Sequence, residues 1–455
     1  MKASFPIGDS YPIRNSAVGG ALGTCLLAVL VGVIAGSLGS AFHYLLEKAF
    51  ALHAAVAGLF PGATGIAALA AALLGAAMAG GAFALVRGFA PEAAGSGIQE
   101  IEGAMSGLRP VRWLRVMPVK FVGGVLAIGA GLVLGREGPT VHLGGCVGRM
   151  IGEKARAGPE TMNTLLAAGA DAGLSAAFGA PLAAILFVAE EMRGRFHLTF
   201  VSLHAVALAS ITAKLMDDQV FGMGPLLPIQ LEIALSNVPP VPYEIIVFVP
   251  LYLGLGLLIG ACGAAFNKIL LACLRVTDRL GFRTMLVFAS SLGGVAGALM
   301  VLAPGFVGGG DSLVQAVFST PATLGLLLGL LVVRAGMTFL SYSAGVPGGV
   351  FAPMLALGAL LGMSFGFLAH QVLPELPLHP GTFAVAAMAG LFAATVRAPL
   401  TGIVLVAELT SSFELLTPLI ITCLVASLTA QLIGSKPLYE LLLDHTLRNE
   451  TKSAR

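Results

Sequence analysis

Charged residues fall in bunches along this chain, separated by apolar stretches that carry none. Residues 15–46, 49–86, 245–267, 284–310 and 335–374 contain no Asp, Glu, Lys or Arg. Each is long enough for one membrane-crossing helix of about 20 residues, and some for two. Three shorter segments mix Gly, Pro and polar residues. Gly95-Ser96-Gly97-Ile98 precedes a short helical pattern running to Ala104, capped by Ser96 or Gly97. Gly135-Arg136-Glu137-Gly138-Pro139 closes an apolar run, 121–134, and predicts a helix opening at Pro139 with Gly138 as its cap. Pro181 likewise opens a helix that ends at Glu190-Glu191.

The pattern repeats. Residues 135–139 align with Gly349-Val350-Phe351-Ala352-Pro353, and Gly144, Gly148 and Gly152 then fall in register with Gly358, Gly362 and Gly366. Further on, Ala180-Pro181-Leu182 through Glu190 matches Ala398-Pro399-Leu400 through Glu408. The chain therefore contains two copies of one architecture, with a seam near residues 217–244. Paired Gly/Pro-interrupted segments in two halves point to a binding site near the bilayer midplane. The four-spaced glycines have a packing reading as well, since they let helices approach closely. Whether the second copy is inverted cannot be read from these segments.

Composition fixes the class. The chain is 57% hydrophobic and 11% charged, against about 25% charged in soluble domains, so it reads as a polytopic helical membrane protein. The polar N-terminus and the long apolar run after it do not fit a cleaved signal peptide. Net charge is +2, which gives no reason to expect a nucleic-acid partner. The five cysteines form no CxxC pair and the eight histidines no ligand-spaced cluster, so neither disulfides nor a metal are expected. Basic residues gather at Arg109, Arg112, Arg115 and Lys120, at Arg193 and Arg195, and from Lys436 onward. The positive-inside rule makes these cytoplasmic. Arg149, Lys154 and Arg156, and the group from Lys268 to Arg283, compete with that assignment.

Glu137 is the costly residue, because an ionised group inside a bilayer costs at least about 2.5–3.5 kcal/mol. A helix N-terminus with free N–H groups would hold its carboxylate, and could equally hold a free anion. Glu137 thus reads as a tethered competitor for an anion site, displaced on protonation; the plain alternative is a salt bridge with Arg136 at a membrane surface. Ser96, the amides around Val350 and Phe351, and the Tyr439 hydroxyl could complete the ligand shell. Arg136 is the one cation deep in these segments, so partial charges dominate the donors, which suits a small anion such as chloride held weakly enough to leave. Glu190 and Glu191 lie at the C-terminal end of their helix, where the macrodipole disfavours them. Either one accepts protons at the cytoplasmic mouth, or both are interfacial acids neutralised by Arg193 and Arg195. Glu102 and Lys120 are possible partners in that region.

GSGI, GREGP, GGVFAP, EEM after APLAAILFVA, and KPLY, in this order, resemble the CLC chloride channel and chloride/proton antiporter family, and within it the bacterial antiporters. The similarity runs from about residue 18 to about residue 447. It implies an all-α fold of two inverted repeats of tilted and broken helices, and a homodimer with one pathway per subunit, embedded in a bacterial inner membrane. It implies that Ser96, Tyr439 and the amides of Val350 and Phe351 hold chloride, with Arg136 and Gly138 beside them. Glu137 would be the gating and external proton-transfer acid, and Glu191 the internal one. Two departures stand out: Gln99 replaces the usual proline after GSGI, and Asp171 puts an acid where an apolar residue is expected.

The expected organisation is a cytoplasmic segment at 1–17, membrane repeats at 18–225 and 245–440 joined by 226–244, and a short cytoplasmic tail at 441–455 with no regulatory domain. The expected function is secondary active exchange of chloride for protons, with a passive chloride channel as the alternative. No cofactor is expected beyond the transported ions. An intramembrane enzyme would need a nucleophile or metal ligands beside the acids; neither an HExxH nor a GxSxG motif is expected to supply them.

Overall fold

The computed structural model describes residues 20–192, 198–224, 227, 242–319, 322–376 and 378–453. Seventeen helices and no strand of more than an isolated bridge are found among them. In chain order they are α1 (Ala21–Gly58), α2 (Thr64–Phe89), α3 (Ile98–Met105), α4 (Trp113–Gly129), α5 (Glu137–Lys154), α6 (Pro159–Phe178), α7 (Pro181–Glu191) and α8 (Phe200–Phe221). After the seam come α9 (Pro242–Thr277), α10 (Phe282–Leu302), α11 (Asp311–Ser319), α12 (Leu324–Tyr342), α13 (Phe351–Val372), α14 (Pro380–Val396), α15 (Pro399–Thr410), α16 (Leu416–Leu432) and α17 (Leu438–Ser453). Eight helices are long and apolar enough to cross a membrane. Their outward faces carry large apolar side chains such as Leu22, Leu73, Val332 and Leu432, as expected where the solvent is lipid.

The two copies are visible in the packing. The first half joins α1 with α8 and α6, α6 with α8, and α5 with α6. The second joins α9 with α16 and α14, α14 with α16, and α13 with α14. The four-spaced glycines do the packing expected of them. A Cβ on Gly144 would lie 2.0 Å from the Gly169 carbonyl, and one on Gly362 would lie 2.2 Å from the Phe383 carbonyl. Hydrophobic expulsion from water does not operate between helices in lipid, so this close fit supplies the association.

The structure also answers the question of inversion. Glu190, at the C-terminal end of α7, accepts from the N–H groups of Leu400 and Thr401 at the start of α15, at 3.1 and 2.7 Å. Glu408, near the end of α15, accepts from Leu182 and Ala183 at the start of α7, at 3.2 and 2.8 Å. Equivalent helices that cap each other's N-termini run antiparallel, so the repeats are inverted. The same bonds explain two acids at helix C-termini: each sits at the positive end of its partner.

The basic clusters that competed for orientation share one face. Trp113 Nε1 donates to Glu153 at 2.7 Å, which brings Arg149 and Lys154 beside Arg112 and Arg115. A cavity of about 810 Å³ is lined by Arg87, Arg109, Arg112 and Arg115 together with Asp278, at the end of α9, and His445 of α17. That face is the cytoplasmic one by the positive-inside rule; Arg193 and Arg195 lie outside the described residues. The chain beyond 440 continues α17 without a break. Asp278 accepts from Asn449 at 2.7 Å and faces His445 at 2.8 Å. Burial works against its charge, but these hydrogen bonds hold its carboxyl below the usual range.

Candidate functional site

Three loops are stitched together at the centre of the fold. Gly95 donates to the Val346 carbonyl at 2.9 Å, and Gly348 to the Gly95 carbonyl at 3.0 Å. Gly135 and Gly349 exchange both backbone bonds, at 2.8 and 2.7 Å. The starts of α3, α5 and α13 are thereby brought into contact. A Cβ on Gly138 would lie 2.5 Å from Ser96 Oγ and 3.0 Å from the Gly349 Cα, so only glycine permits this approach. Three helix N-termini thus meet at one buried point, and their dipoles give it a positive electrostatic field.

The helix at Glu137 begins earlier than its sequence indicates. Arg136 is the cap and Glu137 the first helical residue, with Pro139 in the third position. Arg136 already has helical angles, φ −79° and ψ −18°, and proline tolerates any place in a first turn, where N–H groups have no partner. Glu137 therefore folds back over its own helix start. Its carboxylate lies against the N–H groups of its own residue and of Ala352. A Cβ on Gly135 would fall 2.0 Å from Oε2. Glu137 is 1% exposed, and Oε2 has no hydrogen-bond partner among the described residues. No ion pair joins it to Arg136, whose Nε donates instead to the Ala177 carbonyl at 3.1 Å.

Ser96 and Tyr439 are fully buried. Their hydroxyls approach one another, yet neither completes a hydrogen bond with a described residue. The Ser96 N–H donates to the Tyr342 hydroxyl at 3.4 Å. Lys120, also fully buried, donates to the carbonyls of Ala93 and Gly95 at 3.1 and 2.7 Å and so fixes the loop from behind. Val350 caps α13 and Phe351 opens it. The Phe351 ring touches those of Phe178, Phe187, Phe392 and Tyr439, with centroids 4.8 to 6.2 Å apart. Phe187 lies one turn before Glu191 on α7. Glu191 is half-buried, and Glu102 is buried on α3.

Two cavities flank this centre. One of about 370 Å³ is lined by Leu134, Gly135, Arg136, Glu137, Asp311 and Ala352 among others, and so reaches Glu137 from one side. The 810 Å³ cavity on the cytoplasmic face ends at Gly95, Gln99, Tyr342 and Ser343. Arg136 thus lines the mouth on the Glu137 side. Tyr342, Phe178, Phe187 and Phe392 were not singled out from the sequence; no local motif marks them, because only the tertiary fold brings their rings and hydroxyls to the loops.

Asp171 is fully buried in α6 and faces Ser210 of α8. The string Gly362-Met363-Ser364-Phe365-Gly366 matches the Gly-x-Ser-x-Gly of hydrolases. It lies in mid-α13, however, and Ser364 Oγ donates to the Leu360 carbonyl at 2.7 Å. A nucleophile elbow requires a sharp strand-to-helix turn, and this segment has none. No group of residues suited to a metal occurs among the described residues.

Fold and site define a polytopic helical membrane protein with inverted repeats and a buried polar centre. Residues 75–431 match the family described as voltage gated chloride channel. The H(+)/Cl(-) exchange transporter ClcA of Vibrio parahaemolyticus serotype O3:K6 (strain RIMD 2210633) is 44% identical over 437 residues, spanning 93% of this chain and 90% of the relative. That of Klebsiella pneumoniae (strain 342) is 45% identical over 437 residues, spanning 94% and 90%. The crystal structure of a slow cyanobacterial Cl-/H+ antiporter superposes with a TM-score of 0.88 at 34% identity, covering 93% of this chain and 98% of that one. The chain belongs to the voltage-gated chloride channel family. It is a multi-pass protein of the bacterial inner membrane.

Proposed function

We propose that this protein exchanges chloride for protons, with Glu137 as the group that both ions must displace or occupy. The observation that carries the reading is the pairing of a buried carboxylate oxygen with two buried hydroxyls, none of which has a hydrogen-bond partner among the described residues, at the meeting of three helix starts. Chloride is held by Ser96 Oγ, the Tyr439 hydroxyl and the N–H groups of Val350 and Phe351, with the Gly138 N–H and the positive field of Arg136 toward the outer mouth. These are partial charges or distant full ones, so the anion binds without being trapped. The ionised Glu137 carboxylate competes for the same N–H groups. A proton removes its charge, the side chain swings toward the 370 Å³ cavity, and chloride takes its place. Glu191, at the cytoplasmic end of α7, passes the proton to and from the interior past Phe187, Phe351 and Tyr439. Relatives named as chloride/proton exchangers support the choice of ions. Every residue of this route belongs to one chain, so each copy in a homodimer carries its own pathway. No step forms a covalent bond, and the residues act as a transporter rather than an enzyme.

Glu137→Ala and Glu137→Gln test the gate. Reconstituted in liposomes, both variants are expected to pass chloride while proton movement falls to background. Wild-type proton coupling in the Ala variant would remove Glu137 from the mechanism.

A further inference from the structure

Gln99 is the second residue of α3 and lies where the cytoplasmic cavity meets the Ser96 loop. Its Oε1 accepts from the Gly97 N–H at 3.2 Å. Only the amide oxygen can accept from an N–H, so this bond also fixes which way the side chain is turned. Nε2 makes no hydrogen bond with any described residue, and the side chain, 6% exposed, lines the cavity. Gly97 has left-handed backbone, φ +91°, and caps α3. Its other side is closed by the His142 ring, whose Nδ1 would lie 2.2 Å from a Cβ at this position. The loop is anchored behind by Lys120. The Gly97 N–H therefore has a fixed direction, and Gln99 occupies it.

We propose that Gln99 sets the chloride affinity of the anion site from the cytoplasmic face, as a neutral tethered stand-in whose amide oxygen holds the Gly97 N–H until an anion from the cytoplasmic cavity displaces it. The proposal rests on the transport reading above. It places a competitor on each side of the centre: a carboxylate that a proton can neutralise on one, an amide that no proton in the working pH range can alter on the other. An anion entering from the cytoplasm must replace a hydrogen bond that Gln99 already makes, whereas one entering past Glu137 does not meet it. Once displaced, the amide can turn its free NH₂ toward the anion. The consequence is an asymmetry in chloride affinity between the two faces, set by a side chain that does not titrate.

The test uses full-length protein in liposomes of defined orientation, with apparent chloride KM measured separately from each face and the chloride-to-proton ratio recorded. Gln99→Ala is expected to lower the cytoplasmic-face KM by about two- to tenfold, the worth of one neutral hydrogen bond. The outer-face KM and the ratio should stay as in wild type. Gln99→Pro should reproduce this shift, because an N–H donor is not needed in the first turn of a helix, and it serves if the Ala variant folds poorly. Gln99→Glu should raise the cytoplasmic-face KM and make it depend on internal pH. An unchanged cytoplasmic KM in both Ala and Pro variants, or a shift equal from both faces, overturns the proposal. If wild type itself moves no chloride, it is the transport reading that fails, and the two failures are thereby separable.

Discussion

Two hydroxyls, those of Ser96 and Tyr439, are buried side by side without a hydrogen-bond partner among the described residues, at about 1–3 kcal/mol for each polar group left unsatisfied. A bound anion would satisfy both. Removing one hydroxyl should weaken chloride binding by about tenfold at most, since one net hydrogen bond contributes about 0.5–1.5 kcal/mol. Calorimetry on Ser96→Ala and Tyr439→Phe, with chloride and with nitrate, reads this directly; unchanged affinity and unchanged selectivity in both would exclude these hydroxyls as ligands. At this scale the sequence was informative where a residue is chemically conspicuous. An acid between glycines, or a serine before a helical pattern, announces itself. Gln99 did not: its departure from the family pattern was visible, but its bond to the Gly97 N–H depends on a rotamer that only the folded loop defines. Asp171 was equally conspicuous, and the structure adds its neighbour Ser210 without explaining its purpose.

Between elements, the informative contact is the reciprocal capping of α7 and α15 by Glu408 and Glu190. Thr401 Oγ1 adds a third bond to Glu190, at 2.7 Å. Hydrogen bonds to a charged group contribute about 1.5–3 kcal/mol, so Glu190→Gln should lower the melting temperature while sparing proton flux. Glu191 has no counterpart acid in the second half, where Leu409 stands in its place. Glu191→Gln is therefore expected to abolish proton transport yet leave chloride flux. Paired flux assays with matched protein amounts decide the matter: proton transport lost in the Glu190 variant and kept in the Glu191 variant would reverse the two roles. The alignment of Glu190 with Glu408 could be read from the chain, but the partner of each acid could not. Adjacent helical residues point about 100° apart, and which direction faces α15 is decided by packing. The start of α5 was misplaced by two residues for a similar reason: proline suits several positions in a first turn, and the Arg136 backbone had already become helical.

For the whole molecule, duplication, class and the meeting of the signature loops were all carried by the chain, because charge-free stretches and in-register glycines survive as linear patterns. Inversion was not, since spans cannot be counted where helices are short and broken. Nor was the continuous α17, whose polar composition reads as a tail until Asp278 and the short α3 are seen packed against it. Nor was the common face of the four basic clusters, which required the Trp113–Glu153 contact to bring α4 and α5 together. The resulting frame places a cavity on each side of one buried centre, with the carboxylate of Glu137 lining one of them. Such a frame converts an anion gradient into a proton gradient only if the two ions share the gate. The most direct measurement is proton movement into or out of liposomes carrying the wild-type protein, with a chloride gradient imposed and no proton gradient at the start. Exchange predicts that protons are driven uphill, opposite to chloride, in proportion to its flux. Chloride flux with no linked proton movement would contradict exchange and make the protein a passive channel.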